Sequence, residues 1–296
     1  MRKSLLKLIS VMISAAVMMC FASCKLNNDV TIETDIDIDV KTGTGDEETV
    51  VTILPETTVT DNEITGEPTS DGSHHELYVE NQNEIPSPDW VTALPQAQDP
   101  DTKQLLIVAG MGMNSSCAYI SMHERDAEGR WIQILTTPGY VGVNGMCPDA
   151  DHVEGCGQTP VGIYRFNAAF GIADDPGCAI PYLQVNDDLY WSSDMRDGMH
   201  YNEMVNINEC PDLDTGNSEH IVHYEYEYQY CLNISFNEEC TPGRGSAIFL
   251  HCFGLKKPYT GGCVAVPEYS MIRIMQRVDP DCVVVIDTVD VLGYVF

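Results

Sequence analysis

The chain has 296 residues and a formal net charge of -30, from 15 Lys and Arg against 45 Asp and Glu. So acidic a chain repels a phosphate backbone, which argues against nucleic acid as a partner. With 8% aromatic residues, 23 Gly and 16 Pro it is neither a collagen nor a coiled coil, and twelve cysteines are many for a reducing cytosol.

Arg2, Lys3 and Lys7 flank the start of a mostly apolar stretch over residues 8–21, the length of a secretory signal and short for a membrane span. It ends in Phe21-Ala22-Ser23-Cys24. Small residues just before a cysteine resemble a bacterial lipobox, which implies that residues before Cys24 are removed and that Cys24 is lipidated. An ordinary secretory signal cut nearby is the alternative. Cys20, behind the bulky Met18-Met19, falls in the discarded segment. Two acyl chains on Cys24 would anchor the protein to the extracytoplasmic face of the membrane, in the cell envelope.

Residues 25–100 read as an acidic, Thr-rich, disordered tether. Between 26 and 100 the only basic residue is Lys41. Residues 31–40 alternate Ile or Val with polar residues, which is strand-like by period, but no partner run lies nearby. Such a segment is solvated and repels itself. His74-His75 belongs to this linker rather than to a metal site. The domain organisation expected is therefore a signal peptide over 1–24, a tether over 25–100 and a catalytic domain over 101–296.

The folded part opens with the apolar run at 105–109. Near-alternating segments at 118–124 and 131–135, separated by Asp126-Ala127-Glu128-Gly129, predict a hairpin. Further strands are expected at 162–166, 222–226, 232–236, 246–251 and 282–289. Only one segment reads clearly as a helix. It opens at Pro267, carries Met271, Ile272, Met275 and Val278 on one face, and stops at Asp279-Pro280. Many short strands with one late helix predict a mainly β domain.

The chemistry is concentrated in residues 245–266. A strand delivers His251 at its end, and about ten residues later the chain returns with Thr260-Gly261-Gly262-Cys263, just ahead of the helix. A free thiol is only a few per cent thiolate at neutral pH, and an adjacent imidazole lowers its pKa. Paired glycines let backbone N–H groups face a developing oxyanion. His followed by Cys at this spacing is by itself weak evidence for catalysis and is more often a pair of buried structural residues.

The segment resembles the active-site motif of the YkuD-type L,D-transpeptidases: a His ending a strand, then Ser/Thr-x-Gly-Cys, then a helix. Upstream, Gln158-Thr159-Pro160-Val161-Gly162-Ile163-Tyr164 resembles the family's Lys-Thr-Pro-x-Gly-x-Phe signature. Ala169-Phe170-Gly171, Trp191, Tyr201-Asn202 and 245–249 resemble the subgroup that lacks a His before Gly-Cys. The match runs over about 104–290 in the right order.

The resemblance implies a mostly β sandwich or barrel-like pair of mixed sheets. It implies Cys263 as nucleophile, His251 as general acid and base, the Cys252 carbonyl as the orienter of the His251 ring, and Gly262 and Cys263 N–H groups at the oxyanion. The substrates implied are peptidoglycan stem peptides, with no cofactor and no metal. The thiol would attack the bond between the third stem residue and D-Ala, and an amine of a second stem would resolve the thioester. Resolution by water, giving an L,D-carboxypeptidase or endopeptidase, is left open, as is a non-catalytic wall-binding lipoprotein.

The chain also departs from the family. An Arg often stands two residues after the nucleophile, where this chain has Ala265. Substrate carboxylates would then be drawn by Arg244, Lys256 and Lys257, which fall with Arg273 and Arg277 in one stretch, and Tyr201 and Asn202 would bind substrate. The nine cysteines left after Cys20, Cys24 and Cys263 suggest disulfides, with Cys147–Cys156 and Cys231–Cys240 as candidate pairs, Cys252 single, or all reduced in an anaerobic host. A Cys252–Cys263 redox lock is a further alternative. Cys210, His220 and His223 lack zinc spacing, and 220 and 223 would face opposite ways on a strand.

Overall fold

In the computed structural model, which describes residues 84–295, the strand Gln104–Gly110 that contains the apolar run 105–109 is buried at every position. In chain order the strands are β1 (Ile85–Pro86), β2 (Gln104–Gly110), β3 (Cys117–Arg125), β4 (Trp131–Tyr140), β5 (Met146–Pro148), β6 (Thr159–Gly171) and β7 (Tyr182–Gln184). They continue with β8 (Leu189–Ser193), β9 (Tyr201–Asn206), β10 (Glu219–His220), β11 (Cys231–Ile234), β12 (Phe249–Cys252), β13 (Val264–Val266) and β14 (Val283–Thr288). Strands β3, β2, β14, β6, β11, β12, β13 and β4 pair in that order, and β4 pairs back onto β3. The sheet thus closes into a barrel-like ring that leaves few free edges. Within the ring the pairs β2/β14 and β12/β13 are parallel and the others antiparallel, and the short strands β5 and β7 add parallel pairings to β6, so the sheet is mixed. Strands β10, β8 and β9 form a separate three-stranded antiparallel sheet.

Side chains alternate across a strand, and here both faces are covered. Leu106, Val108, Val284 and Ile286 join Ile120, Leu232 and Leu250 in the main core. Their neighbours Leu105, Ile107, Val283 and Val285 pack on the other side against Val91, Leu94, Ala97, Val289 and Leu292. This explains an uninterrupted apolar run where one-sided strands would alternate. The helix Glu268–Arg277 buries Met271, Ile272, Ile274 and Met275 in the main core. Glu268 in its first turn and Arg277 in its last suit the helix dipole.

Three expectations change. The fold begins ahead of residue 101. The one-turn helices Asp89–Thr92 and Pro95–Gln98 pack on the outer apolar face, and Trp131 Nε1 donates to Ala97 O at 3.0 Å. Low apolar content hid this segment in the acidic run. The strand expected at 222–226 is a 3₁₀ turn, Ile221–His223, followed by turns, because Ile221 and Tyr228 point inward while Tyr224 and Tyr226 face water. All ten described cysteines are unbridged, neither candidate pair being joined, although the Cys147 and Cys156 thiols lie within hydrogen-bond reach of each other. The signal segment, Cys24, His74-His75 and the tether up to residue 83 lie outside the described residues.

Since Leu94 is a core residue here, Leu94→Ala should destabilise the protein by about 2–3 kcal/mol in urea unfolding. A change below about 0.5 kcal/mol would return this segment to the tether.

Candidate active site

The parallel register pairs Leu250 with Val264, His251 with Ala265 and Cys252 with Val266. Alternation then sorts the side chains. Leu250, Cys252, Val264 and Val266 enter the main core, while Phe249 and Cys263 join a second cluster on the opposite face. His251 and Ala265 share that outer face, where His251, Ala265 and Cys263 line one cleft of about 380 Å³. His251 and Cys263 are therefore one row apart on the same face of adjacent strands. Cys252 faces the other way, which excludes the Cys252–Cys263 lock.

Within hydrogen-bond reach of His251 Nδ1, at 2.7 Å, is the Cys252 carbonyl. A carbonyl can only accept, so Nδ1 carries the proton and Nε2 keeps its lone pair. Nε2 has no partner among the described residues, and the residue is only 6% exposed. Burial lowers the His251 pKa to about 4, with the Cys252 carbonyl and Glu227 pulling the other way. The ring is neutral at pH 7.

Cys263 donates its S–H to Ala247 O at 3.0 Å and accepts from Phe249 N–H at 3.3 Å. Burial raises its pKa well above the usual thiol range, and the charge of Glu219 adds to this; the Phe249 and Cys263 N–H groups oppose it. The sequence reading expected an imidazole to lower that pKa. Desolvation dominates instead, so at neutral pH thiol and imidazole are both uncharged.

Two threonines hold the turn that presents the thiol. Thr260 Oγ1 donates to Cys263 O at 2.7 Å and accepts from Gly262 N–H at 3.1 Å. Thr159 Oγ1 donates to Gly262 O at 2.7 Å and accepts from Gly142 N–H at 2.9 Å. Gly262 has φ +151°, and a Cβ there would come within 3.0 Å of Gln158 O, so this position favours glycine. Because Gly262 N–H is taken by Thr260, it does not face an oxyanion as expected. The Gly261 N–H has no acceptor among the described residues, and the Cys263 N–H lies beside its own sulfur.

Tyr201 and Asn202 are buried and do not line the cleft. Asn202 Oδ1 accepts from Ala247 N–H and from Trp191 Nε1, each at 3.0 Å, while Nδ2 donates to Phe236 O and Asn237 O. It thereby holds Ala247 at φ +56°, a conformation costly for a residue with a Cβ, and Ala247 O is the thiol's acceptor. Tyr201 OH donates to Glu154 and accepts from Gly245 N–H. Both residues support the site from behind.

The expected basic attractor is not assembled. Arg244 pairs with Asp149 and lies over Phe236 outside the cleft, and Arg277 pairs with Glu84 and Glu124. Lys256 is exposed and does not line the cleft, whereas Lys257 does. The cleft instead gathers Glu154, Glu219 and Glu227, which the sequence reading missed. His220 and His223 rings lie 4.1 Å apart rather than on opposite faces, because the strand ends between them; no metal-ligand cluster forms among the described residues.

Comparison with known proteins adds three findings. The family described as YkuD, L,D-transpeptidase catalytic domain, matches residues 129–286. No curated protein matches the chain. Among solved structures, the helical cell shape determining protein Pgp2 from Campylobacter jejuni is similar at 13% identity and a TM-score of 0.35, over 67% of this chain and 54% of that one. The chain thus spans about half of that structure, a likeness too low to carry an argument.

Thr260→Val keeps the volume but leaves the Gly262 N–H without a partner, while the Cys263 carbonyl keeps only its longer bond, 3.2 Å, from Thr159 Oγ1. It should destabilise by about 1–3 kcal/mol for the group left bare, and speed alkylation of Cys263 as the turn loosens. Thr260→Ser should stay close to wild type in both the thermal melt and the labelling rate. Equal behaviour of the two variants would deny the hydroxyl this role.

Proposed function

We propose that this chain, which belongs to the YkuD family of L,D-transpeptidase catalytic domains, joins the third residues of two peptidoglycan stems through a thioester on Cys263. The observation that carries this reading is the shared face of β12 and β13, with a buried thiol and an open imidazole Nε2 on one cleft. The family acts on peptidoglycan stem peptides.

Substrate binding would turn Sγ from Ala247 O toward Nε2, which takes the proton. The thiolate attacks the carbonyl between the third stem residue and D-Ala. The oxyanion forms against the Gly261 and Cys263 N–H groups. His251 returns the proton to the D-Ala nitrogen, the C–N bond breaks and D-Ala leaves. An amine from a second stem attacks the thioester, its proton passes through His251 to the sulfur, and the C–S bond breaks. Asn202, Thr159 and Thr260 act as positioning residues. Lipidation at Cys24 and an acidic tether would hold the catalytic domain beside the wall at the membrane face, which suits a polymeric substrate.

Incubation with a tetrapeptide muropeptide should yield a cross-linked dimer and free D-Ala by mass spectrometry. Trimmed monomer alone would mean that water resolves the thioester, and unchanged substrate would leave a binding protein. Cys263→Ala should abolish the acyl-enzyme mass. His251 must be neutral to accept a proton, and its pKa is lowered to about 4. The acid limb of kcat/KM should therefore fall with a midpoint near 4, well below the usual 6.5. Because the resting thiol is raised, iodoacetamide labelling without substrate should climb from pH 7 to 10 without a plateau. A plateau below pH 7 would indicate a thiolate–imidazolium pair and overturn the neutral resting state.

A further inference from the structure

The charge in the cleft has the wrong sign for a carboxylate-binding site. Glu154, Glu219 and Glu227 line it against one cation, Lys257, and none of the three forms an ion pair among the described residues. The proposed chemistry consumes none of these carboxylates. Of the three, Glu219 is the one whose charge acts on the Cys263 thiol. Its Oε2 accepts from Tyr228 OH at 2.6 Å, and Oε1 has no hydrogen-bond partner among the described residues. The Tyr228 ring packs edge-on against His251, with centroids 5.3 Å apart, and against Phe249 at 5.6 Å. A half-buried carboxylate with one free oxygen thus stands on the scaffold that carries the His251 ring. That ring is itself a second sign of a ligand, being buried with an unpartnered nitrogen toward the same cleft. At position 265, beside His251 in the register, the chain carries Ala and so adds no positive charge.

We propose that Glu219, backed by Glu154, docks the ammonium group of the incoming acyl acceptor, and that the cleft selects acceptors whose reacting amine has no free carboxylate on the same carbon. Lysine- or ornithine-type side chains fit this, as does a diaminopimelate whose far carboxyl is amidated. A free carboxylate there would meet three glutamates. This inference rests on the function proposed above and names the acceptor class for that site. Burial, and to a smaller extent Glu154, raises the Glu219 pKa to about 7, while the Tyr228 bond opposes this. A bound ammonium would favour the charged carboxylate. Before attack the ammonium gives one proton to Glu219, which later releases it to water. Nitrogen then forms the new C–N bond, the C–S bond breaks, and the second proton passes through His251 to the sulfur.

The test is a binding titration by NMR at pH 7, on the full chain carrying Cys263→Ala, so that no turnover is needed. The probes are Nα-acetyl-L-lysine amide and the matching diaminopimelate derivatives with the far carboxyl free or amidated. The lysine and amidated probes should bind about tenfold tighter than the free acid. Glu219→Gln, which can still accept from Tyr228, should bring all three within about twofold, and Glu219→Asp should restore part of the preference. Should Cys263→Ala fail to fold, Cys263→Ser serves in its place. Equal or tighter binding of the free acid, or a preference unmoved by Glu219→Gln, would overturn the inference. Absence of an acyl-enzyme in the wild-type chain would instead overturn the function proposed above, while the titration still decides whether Glu219 holds an ammonium.

Discussion

The parallel pairing of β12 with β13 decides which way the imidazole and the thiol face. Side chains alternate with a period of two, so a shift of one residue in this register would send Cys263 into the barrel core and bring Val264 to the cleft. The core guards against that shift. Leu250, Cys252, Val264 and Val266 are all buried in it, and exchanging them for His251 would bury a polar ring without a partner. The loop between the strands returns through a glycine at positive φ, and the two threonine hydroxyls lock its carbonyls. Packing on one face of two short strands thereby sets the chemistry on the other.

The same burial that fixes the geometry also sets the proton balance. Desolvation raises the thiol and lowers the imidazole, so neither is charged at rest. In the function proposed above, the ion pair that makes the sulfur nucleophilic would form when a peptide fills the cleft. Asn202 and Ala247 matter because they supply the acceptor from which the S–H must be released. The left-handed conformation at Ala247 is sustained by the Asn202 side chain, itself anchored by Trp191 and two backbone carbonyls.

Local signals carried the sequence reading a long way. The uninterrupted apolar run at 105–109, the hairpin at β3 and β4 and the helix after Cys263 are written in short-range periodicity, and His251 and Cys263 stand in one segment. What was not legible depends on distant partners. Arg244 looked free in sequence, yet its carboxylate partner Asp149 lies far upstream on another element. Glu219 reaches the cleft from the separate sheet, and no spacing near Cys263 announces it. Gly262 was a reasonable amide for an oxyanion until the Thr260 hydroxyl was seen to occupy it. The segment at 85–98 lay hidden because its few apolar residues sit within an acidic stretch, although they complete the outer apolar layer.

The bond between the Cys263 thiol and the Ala247 carbonyl bears on endurance as well as on reactivity. Peroxides and small disulfides attack the thiolate, and a sulfur stored as a protonated, shielded thiol offers them little purchase. With ten unbridged cysteines in the described residues, the chain has other sulfurs to lose first, among them the exposed Cys117. A sulfur held this way is spared oxidation for as long as that bond is kept.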